Sequence, residues 1–235
     1  MLISGVQKFT MLDYPEKIAA IIFTPGCNMR CGFCHNKEFV LPKEIKKIKP
    51  SFIPQKAVLN FLESRKGKLD GVVISGGEPT VQPNLKQFIN KVREMGFLVK
   101  LDTNGNLPDV LKDLVNNGLL DYVAMDVKTT LANYESLVGN LVKPDNIKES
   151  IDFLKKGSVP YEFRTTVIDE IHTNELIKEM AELMRGADKL YLQKFRPETT
   201  LSPEFENKKP IPDKKMQDFI EMFQDANIQK VSVRK

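Results

Sequence analysis

From residue 18 onward, short apolar runs rich in Val, Ile and Phe alternate with segments whose apolar residues recur at helical spacing. The runs at 18–23, 72–74, 97–101, 122–125, 161–167 and 190–192 read as strands. Between them lie amphipathic stripes. Ala57, Val58, Phe61 and Leu62 form one that Gly67 stops, and Leu85, Phe88, Ile89 and Val92 form another that Gly96 stops. A parallel neighbour is reached only through a crossover, so strict β-then-α order implies parallel strands with helices packed outside. A closed eight-unit barrel typically takes about 250 residues. With six units visible, the 235 residues suit an α/β fold of partial, open TIM-barrel type. A doubly wound sheet is the alternative, and in either architecture ligands gather at the carboxyl ends of the strands.

The alternation continues to the end of the chain. Pro108 opens a helix carrying Val110, Leu111, Leu114 and Val115, Asp145 and Thr173 can cap two more, and a last helix near 213–223 precedes a short run at 231–233. Residues 1–235 therefore read as one domain with short N-terminal and C-terminal extensions. Lys and Arg exceed Asp and Glu by only four, mostly interleaved, which is too mild an excess to argue for nucleic acid. Two denser lysine groups, at 43–49 and 208–215, read as solvated loops or as docking points for a partner. No apolar run approaches the roughly 18 residues of a membrane span. The first residues lack the pattern of a signal peptide, so a soluble cytoplasmic protein is expected.

The only three cysteines, Cys27, Cys31 and Cys34, follow the first strand and its Thr24-Pro25-Gly26 turn as C-x3-C-x2-C. An odd number so closely spaced reads as a ligand set in a reducing compartment. Thiolates suit iron-sulfur clusters and zinc. On a four-iron cubane, three protein ligands leave one iron open. The zinc reading takes His35 as fourth ligand, although Cys34 and His35 are adjacent and the only other histidine is His172. Low-pKa thiolates, readily oxidised in air, are expected here.

With Phe33 directly before the last cysteine, this motif resembles the signature of the radical S-adenosylmethionine (radical SAM) enzymes. Ser75-Gly76-Gly77-Glu78-Pro79, one β/α unit later, resembles that family's GGEP segment. Further matches run along nearly the whole chain. His35-Asn36 follows the cluster motif, Asp102-Thr103-Asn104-Gly105 and Met125-Asp126-Val127-Lys128 end two strands, and Arg164 lies on the strand that begins at Tyr161. Together they resemble the activating enzymes of glycyl-radical proteins, most of all those of anaerobic ribonucleoside-triphosphate reductase.

The resemblance implies one 4Fe-4S cluster on Cys27, Cys31 and Cys34, whose open iron chelates S-adenosylmethionine and whose reduction yields a 5′-deoxyadenosyl radical. Phe33 and His35, followed by Asn36, would lie against the adenosyl part. Gly76, Gly77 and Glu78 would face the methionine amine, and Asp126, Lys128 and Arg164 the ribose or carboxylate. Asp102 could hold ribose, a cation or only its own loop. Where some relatives present a histidine near the sixth strand end, this chain has Gln193. No fourth cysteine exists for a second cluster.

The cofactor carries the hard step in such enzymes, so no catalytic side-chain constellation is needed. The implied partners are a glycyl-radical enzyme, anaerobic ribonucleotide reductase first, and flavodoxin or ferredoxin as electron donor. Two other readings stand beside this one. The first is a radical SAM enzyme acting on a small molecule such as a deazapurine precursor, and the second is a zinc-stabilised binding module without turnover.

Overall fold

The computed structural model describes residues 1–234. Strand β1 (Gly5–Thr10) turns back along β2 (Ala19–Thr24). Helices α1 (Lys37–Val40), α2 (Pro42–Ile48) and α3 (Gln55–Glu63) lead to β3 (Gly71–Gly76), and α4 (Leu85–Glu94) leads to β4 (Leu98–Thr103). Helix α5 (Pro108–Asn116) leads to β5 (Tyr122–Asp126), then α6 (Tyr134–Val138) and α7 (Pro144–Leu154) to β6 (Tyr161–Val167). Helix α8 (Asn174–Leu183) precedes β7 (Lys189–Lys194), and α9 (Asp213–Asp225) precedes β8 (Lys230–Arg234).

The eight strands form one sheet in chain order, β1 to β8. From β2 to β8 every neighbouring pair is parallel, which makes six crossovers. A doubly wound sheet reverses its strand order at a switch point. This order never reverses, so the sheet curls as a barrel does. It stays open, because β1 and β8 lie at its two ends and are not paired with each other among the described residues.

Alternation along each strand divides the apolar residues into two cores. Val72, Ile74, Val99, Leu101, Val123, Met125 and Phe163 face outward into the large core beneath the helices. Tyr14, Ala19, Ile21, Val73 and Tyr122, with Phe23 and Leu98, plug the amino-terminal end of the concave face. Toward the carboxyl ends the same concave face becomes polar, with Ser75, Lys100, Asp102, Asp126, Glu162, Arg164 and Gln193. The plug therefore gives a floor on which a polar site stands.

Two segments depart from the sequence reading. β1 lacks clean alternation, with Gln7, Lys8 and Phe9 all exposed, yet it pairs as an antiparallel edge strand. The lysine group at 43–49, read as a loop, is largely α2, with Pro42 in its first turn and Lys47 bonded to Glu44 at 2.8 Å. That helix buries no residue, so no apolar stripe marks it in the sequence.

Candidate active site

A cavity of about 250 Å³ opens at the carboxyl ends of β2 to β7. Cys27, Cys31, Cys34, Asn36, Gly76, Gly77, Glu78, Asp102, Asp126, Lys128 and Arg164 all line it, so eleven of the thirteen residues singled out from the sequence meet there. Phe33 and His35 do not line it. Phe33 is buried against Phe205, 5.9 Å between ring centroids, and carries the Lys128 ammonium 6.0 Å over its ring. His35 is exposed and stacks on Phe195 at 5.6 Å.

The cysteine loop is held by four separate parts of the chain. Gly26 N–H donates to Phe39 C=O at 2.6 Å, and Arg30 N–H donates to Val138 C=O at 2.6 Å. The segment around residue 200 supplies Leu201 N–H to Cys34 C=O and Ser202 N–H to Gly32 C=O, both at 2.9 Å. Asn104 Nδ2 reaches Asn28 Oδ1 at 2.8 Å.

Glycines 76 and 77 let the β3 loop lie directly on the β2 loop. Gly76 has φ +117°, and a Cβ there would stand 2.4 Å from the backbone of Thr24. At Gly77 a Cβ would stand 2.1 Å from the carbonyl oxygen of Gly26. Gly77 N–H instead donates to Thr24 C=O at 2.8 Å, and Glu78 N–H to Gly26 C=O at 2.7 Å. The close approach that glycine permits is thus backbone on backbone.

Glu78 turns inward. Its carboxylate accepts from Thr80 N–H and Oγ1, from Thr103 Oγ1 and from Asn104 N–H, at 2.6 to 3.2 Å. Burial pushes its pKa up, and these donors pull the other way. Its first task is to clamp the β3 and β4 loops together, which leaves Oε2 a single protein donor.

Across the floor runs a chain of alternating charge. Lys100 Nζ meets Asp102 at 2.6 Å, Arg164 meets Asp102 at 3.2 Å and Asp126 at 2.8 Å, and Lys128 meets Asp126 at 3.2 Å. Three cations face two carboxylates, leaving one positive charge over. Burial pushes the Asp102 and Asp126 carboxyls up, but Arg164 with Lys100 or Lys128 holds both below the ordinary range. Burial also opposes the charge on Lys128 and Arg164, yet the facing carboxylates raise both above their usual values. Asp102, Asp126, Lys128 and Arg164 are therefore ionised at neutral pH. Lys100 escaped the sequence reading, although a lysine between Val99 and Leu101 in an apolar run is a visible signal. Ser75, Thr103 and Asn104 line the cavity too, and each belongs to a segment quoted from the sequence, although none was singled out there by itself.

The thiols differ from the sequence expectation. Burial pushes Cys27 up to about 12 and Cys31 up to about 11, and it raises Cys34 as well. In the free chain they are protonated, and a bound metal's charge must displace the protons. The donor set fits a cluster better than a zinc ion. Among the described residues no group of three His, Cys, Asp or Glu is gathered for a single ion. His35 stands outside the cysteine cavity, and His172 is buried with its ring nitrogens on Ile168 N–H and Lys128 C=O. A cubane takes each thiolate on a different iron and so needs no such convergence.

Residues 21–185, more than two thirds of the chain, match the Radical SAM superfamily. A protein of Methanocaldococcus jannaschii, assigned by inference as a glycyl-radical enzyme activating enzyme, is 37% identical over 90% of this chain and 86% of its own length. The 7-carboxy-7-deazaguanine synthase of Thermococcus kodakarensis is 26% identical over 73% of this chain and 72% of its own. The crystal structure of Streptococcus suis SuiB superposes with a TM-score of 0.66 at 16% identity, covering 92% of this chain and 49% of SuiB. The chain thus spans about half the length of that structure, and the likeness concerns the fold. A 4Fe-4S cluster and S-adenosylmethionine are the cofactors of the matched family. With its three cysteines, glycine loop and charged floor in one cavity of an open barrel, this chain belongs to the radical SAM superfamily.

Proposed function

We propose that this radical SAM enzyme installs a glycyl radical on a partner enzyme, with anaerobic ribonucleotide reductase the first partner to test and flavodoxin or ferredoxin as electron donor. One observation carries the cofactor assignment: the three thiols share a single cavity with the Lys128 and Arg164 cations and their paired carboxylates Asp102 and Asp126. The polypeptide substrate rests on the relative from M. jannaschii and on the open edge of the sheet, which admits a protein loop more readily than a closed barrel would.

When bound, the cluster and S-adenosylmethionine supply one-electron reductive cleavage and a carbon-centred hydrogen abstractor. The chain's own residues bind and orient. Cys27, Cys31 and Cys34 hold the cluster. Lys128 and Arg164 would meet the carboxylate through charge-assisted hydrogen bonds, while Asp102 and Asp126 keep those cations in place and would offer acceptors to ribose hydroxyls. Gly76 and Gly77 present backbone groups to the methionine end, with the free lone pairs of Glu78 Oε2 behind them. Asn36, 3.4 Å from the Gly76 carbonyl, ties the cysteine loop to this segment. Phe33, which carries Lys128 over its ring, would support the adenosyl side from behind the cavity wall, whereas His35 stands outside the cofactor cavity.

Anaerobic incubation of the reconstituted enzyme with the partner, S-adenosylmethionine and reductant should give the doublet of a glycyl radical by electron paramagnetic resonance. Absence of that signal with every glycyl-radical enzyme of the source organism overturns this role. The likeness to 7-carboxy-7-deazaguanine synthase supports a second reading, a small-molecule substrate. A modified metabolite formed without any protein partner, detected by mass spectrometry, would establish it.

A further inference from the structure

A second cavity of about 300 Å³ adjoins the first, with Gln193 lining both. Thr166, Gln193 and Arg234 occupy one register row across β6, β7 and β8, at their carboxyl ends. His35, Lys194 and Arg196 complete the lining, and no carboxylate contributes to it among the described residues. The carboxylates nearest these groups are already engaged. Glu162 takes the Arg234 guanidinium at 2.9 and 3.1 Å, and Asp213 takes Lys194. Arg196 is exposed and makes no ion pair among the described residues.

Arg234 is fixed before any ligand arrives. Its fork is spent on the fully buried Glu162, and its plane lies 4.2 Å from the centroid of Tyr191. The remaining N–H groups are therefore presented from a rigid guanidinium, which lowers the ordering cost of binding. Arg196 beside it carries an uncompensated charge. The outer edge of β8 is unpaired among the described residues, so this cavity lies at the open side of the barrel.

The geometry points to a carboxylate subsite here, which receives an acidic side chain of the polypeptide that donates the hydrogen atom. The reading rests on the proposed polypeptide substrate. Arg196 attracts the carboxylate, Arg234 orients it, and the glycine a few residues away is delivered across Gln193 into the cofactor cavity. His35 lines this second cavity, so its imidazole serves the substrate side of the cleft.

The test uses the reconstituted holoenzyme with S-adenosylmethionine under anaerobic conditions, and two short labelled peptides with a central glycine. One carries Asp and Glu beside the glycine and the other carries Asn and Gln, and fluorescence anisotropy reads binding. Because the pairing is a charge-assisted hydrogen bond, the acidic peptide should bind about tenfold tighter or more. Salt should narrow the gap. Arg196→Glu should abolish it and Arg196→Gln reduce it. Lys68→Glu, an equal charge change at an exposed site beyond the amino-terminal end of the barrel, should leave it intact.

Equal affinity for the two peptides, or a gap that survives Arg196→Glu, overturns the subsite and leaves the polypeptide reading standing. Failure of both peptides to bind overturns the subsite together with that reading. Free glutarate binding as tightly as the acidic peptide would assign the cavity to a small-molecule acid and likewise overturn the proposal.

Discussion

Arg164 on β6 holds Asp126 on the neighbouring strand β5, Nε to Oδ1 at 2.8 Å, and its Nη1 reaches on to Asp102 of β4 at 3.2 Å. One planar guanidinium thus spans three strands of the sheet and fixes two carboxylates at the floor of the cofactor cavity. Arg164→Met would leave Asp102 with Lys100 and Ser75, and Asp126 with Lys128 alone. Breaking a buried pair by removing one partner costs about 3–5 kcal/mol. We expect a loss near the lower end, since Lys100 and Lys128 remain, together with weaker S-adenosylmethionine binding by about tenfold or more. Urea unfolding and anaerobic calorimetry read the two effects. Arg164→Lys should not restore both, because an ammonium cannot bridge two carboxylates as a fork does.

Glu78 offers a sharper separation of fold from ligand contact. Its oxygens take donors from both the β3 and β4 loops, and Thr103 and Asn104 would lose their acceptor in Glu78→Ala. Buried donors left unsatisfied cost roughly 1–3 kcal/mol. Glu78→Gln keeps the size but turns an amide toward groups that donate, so it too should destabilise, by about 1–2 kcal/mol. Denaturant midpoints of the iron-free protein would show this. An unchanged midpoint with lost S-adenosylmethionine affinity would instead identify Glu78 as a ligand contact and nothing more.

Much of this arrangement was legible beforehand because its signals are local. Cys27, Cys31 and Cys34 carry their meaning in spacing, and the apolar runs around Val73, Ala124 and Phe163 carry the strand order. Their places at successive strand ends put Asp102 and Asp126 on one rim, and the family resemblance added Arg164. The charge pairing among them was not legible, since it depends on the register of β4, β5 and β6, which no single segment encodes. Lys100 was missed for the same reason: a lysine inside a strand has no assigned partner until Asp102 is placed beside it. β1 and α2 were missed because neither buries an apolar face. The inward turn of Glu78 was equally hidden, as it requires two loops from different β/α units.

At Gly77 the constraint is steric. An added Cβ would sit 2.1 Å from the Gly26 carbonyl, a backbone atom of the turn that leads into Cys27. Gly77→Ala should therefore push the cysteine loop and the β3 loop apart and break the Glu78 N–H to Gly26 bond. The expected readout is reduced iron incorporation on reconstitution with nearly unchanged helix content by circular dichroism. Gly118→Ala, at a helix end outside the site, adds the backbone strain of φ +66° but no steric contact within 4 Å, and should leave iron incorporation unchanged.

The buried thiols make cluster assembly proton-linked. Burial raises Cys27 to about 12 and Cys31 to about 11, so each must release a proton to become a ligand. The sign follows directly: protons are products of metal uptake, and raising the pH favours it. Iron and acid-labile sulfide bound on reconstitution should increase from pH 7 to pH 9. Cys31→Ala should lose both, and a variant that instead retains one zinc and no sulfide would return the chain to the zinc reading.

His172 gives a stability signature separate from the cofactor. It is fully buried beneath the cavity, with Nδ1 accepting from Ile168 N–H at 3.0 Å and Nε2 donating to Lys128 C=O at 3.2 Å. Burial lowers its pKa, while the unfolded chain has an ordinary imidazole near 6.5. Below that value the unfolded state binds a proton that the folded state excludes, so stability is full above about pH 6.5 and falls as the pH drops. The slope is limited to one proton, about 1.4 kcal/mol per pH unit. Urea unfolding of the iron-free protein between pH 7 and pH 5 should show a loss of up to about 2 kcal/mol in the wild type. His172→Gln retains a donor and an acceptor but cannot titrate, and the slope it removes over that range is the contribution of His172; an identical slope in both proteins would show that the folded state accommodates the imidazolium.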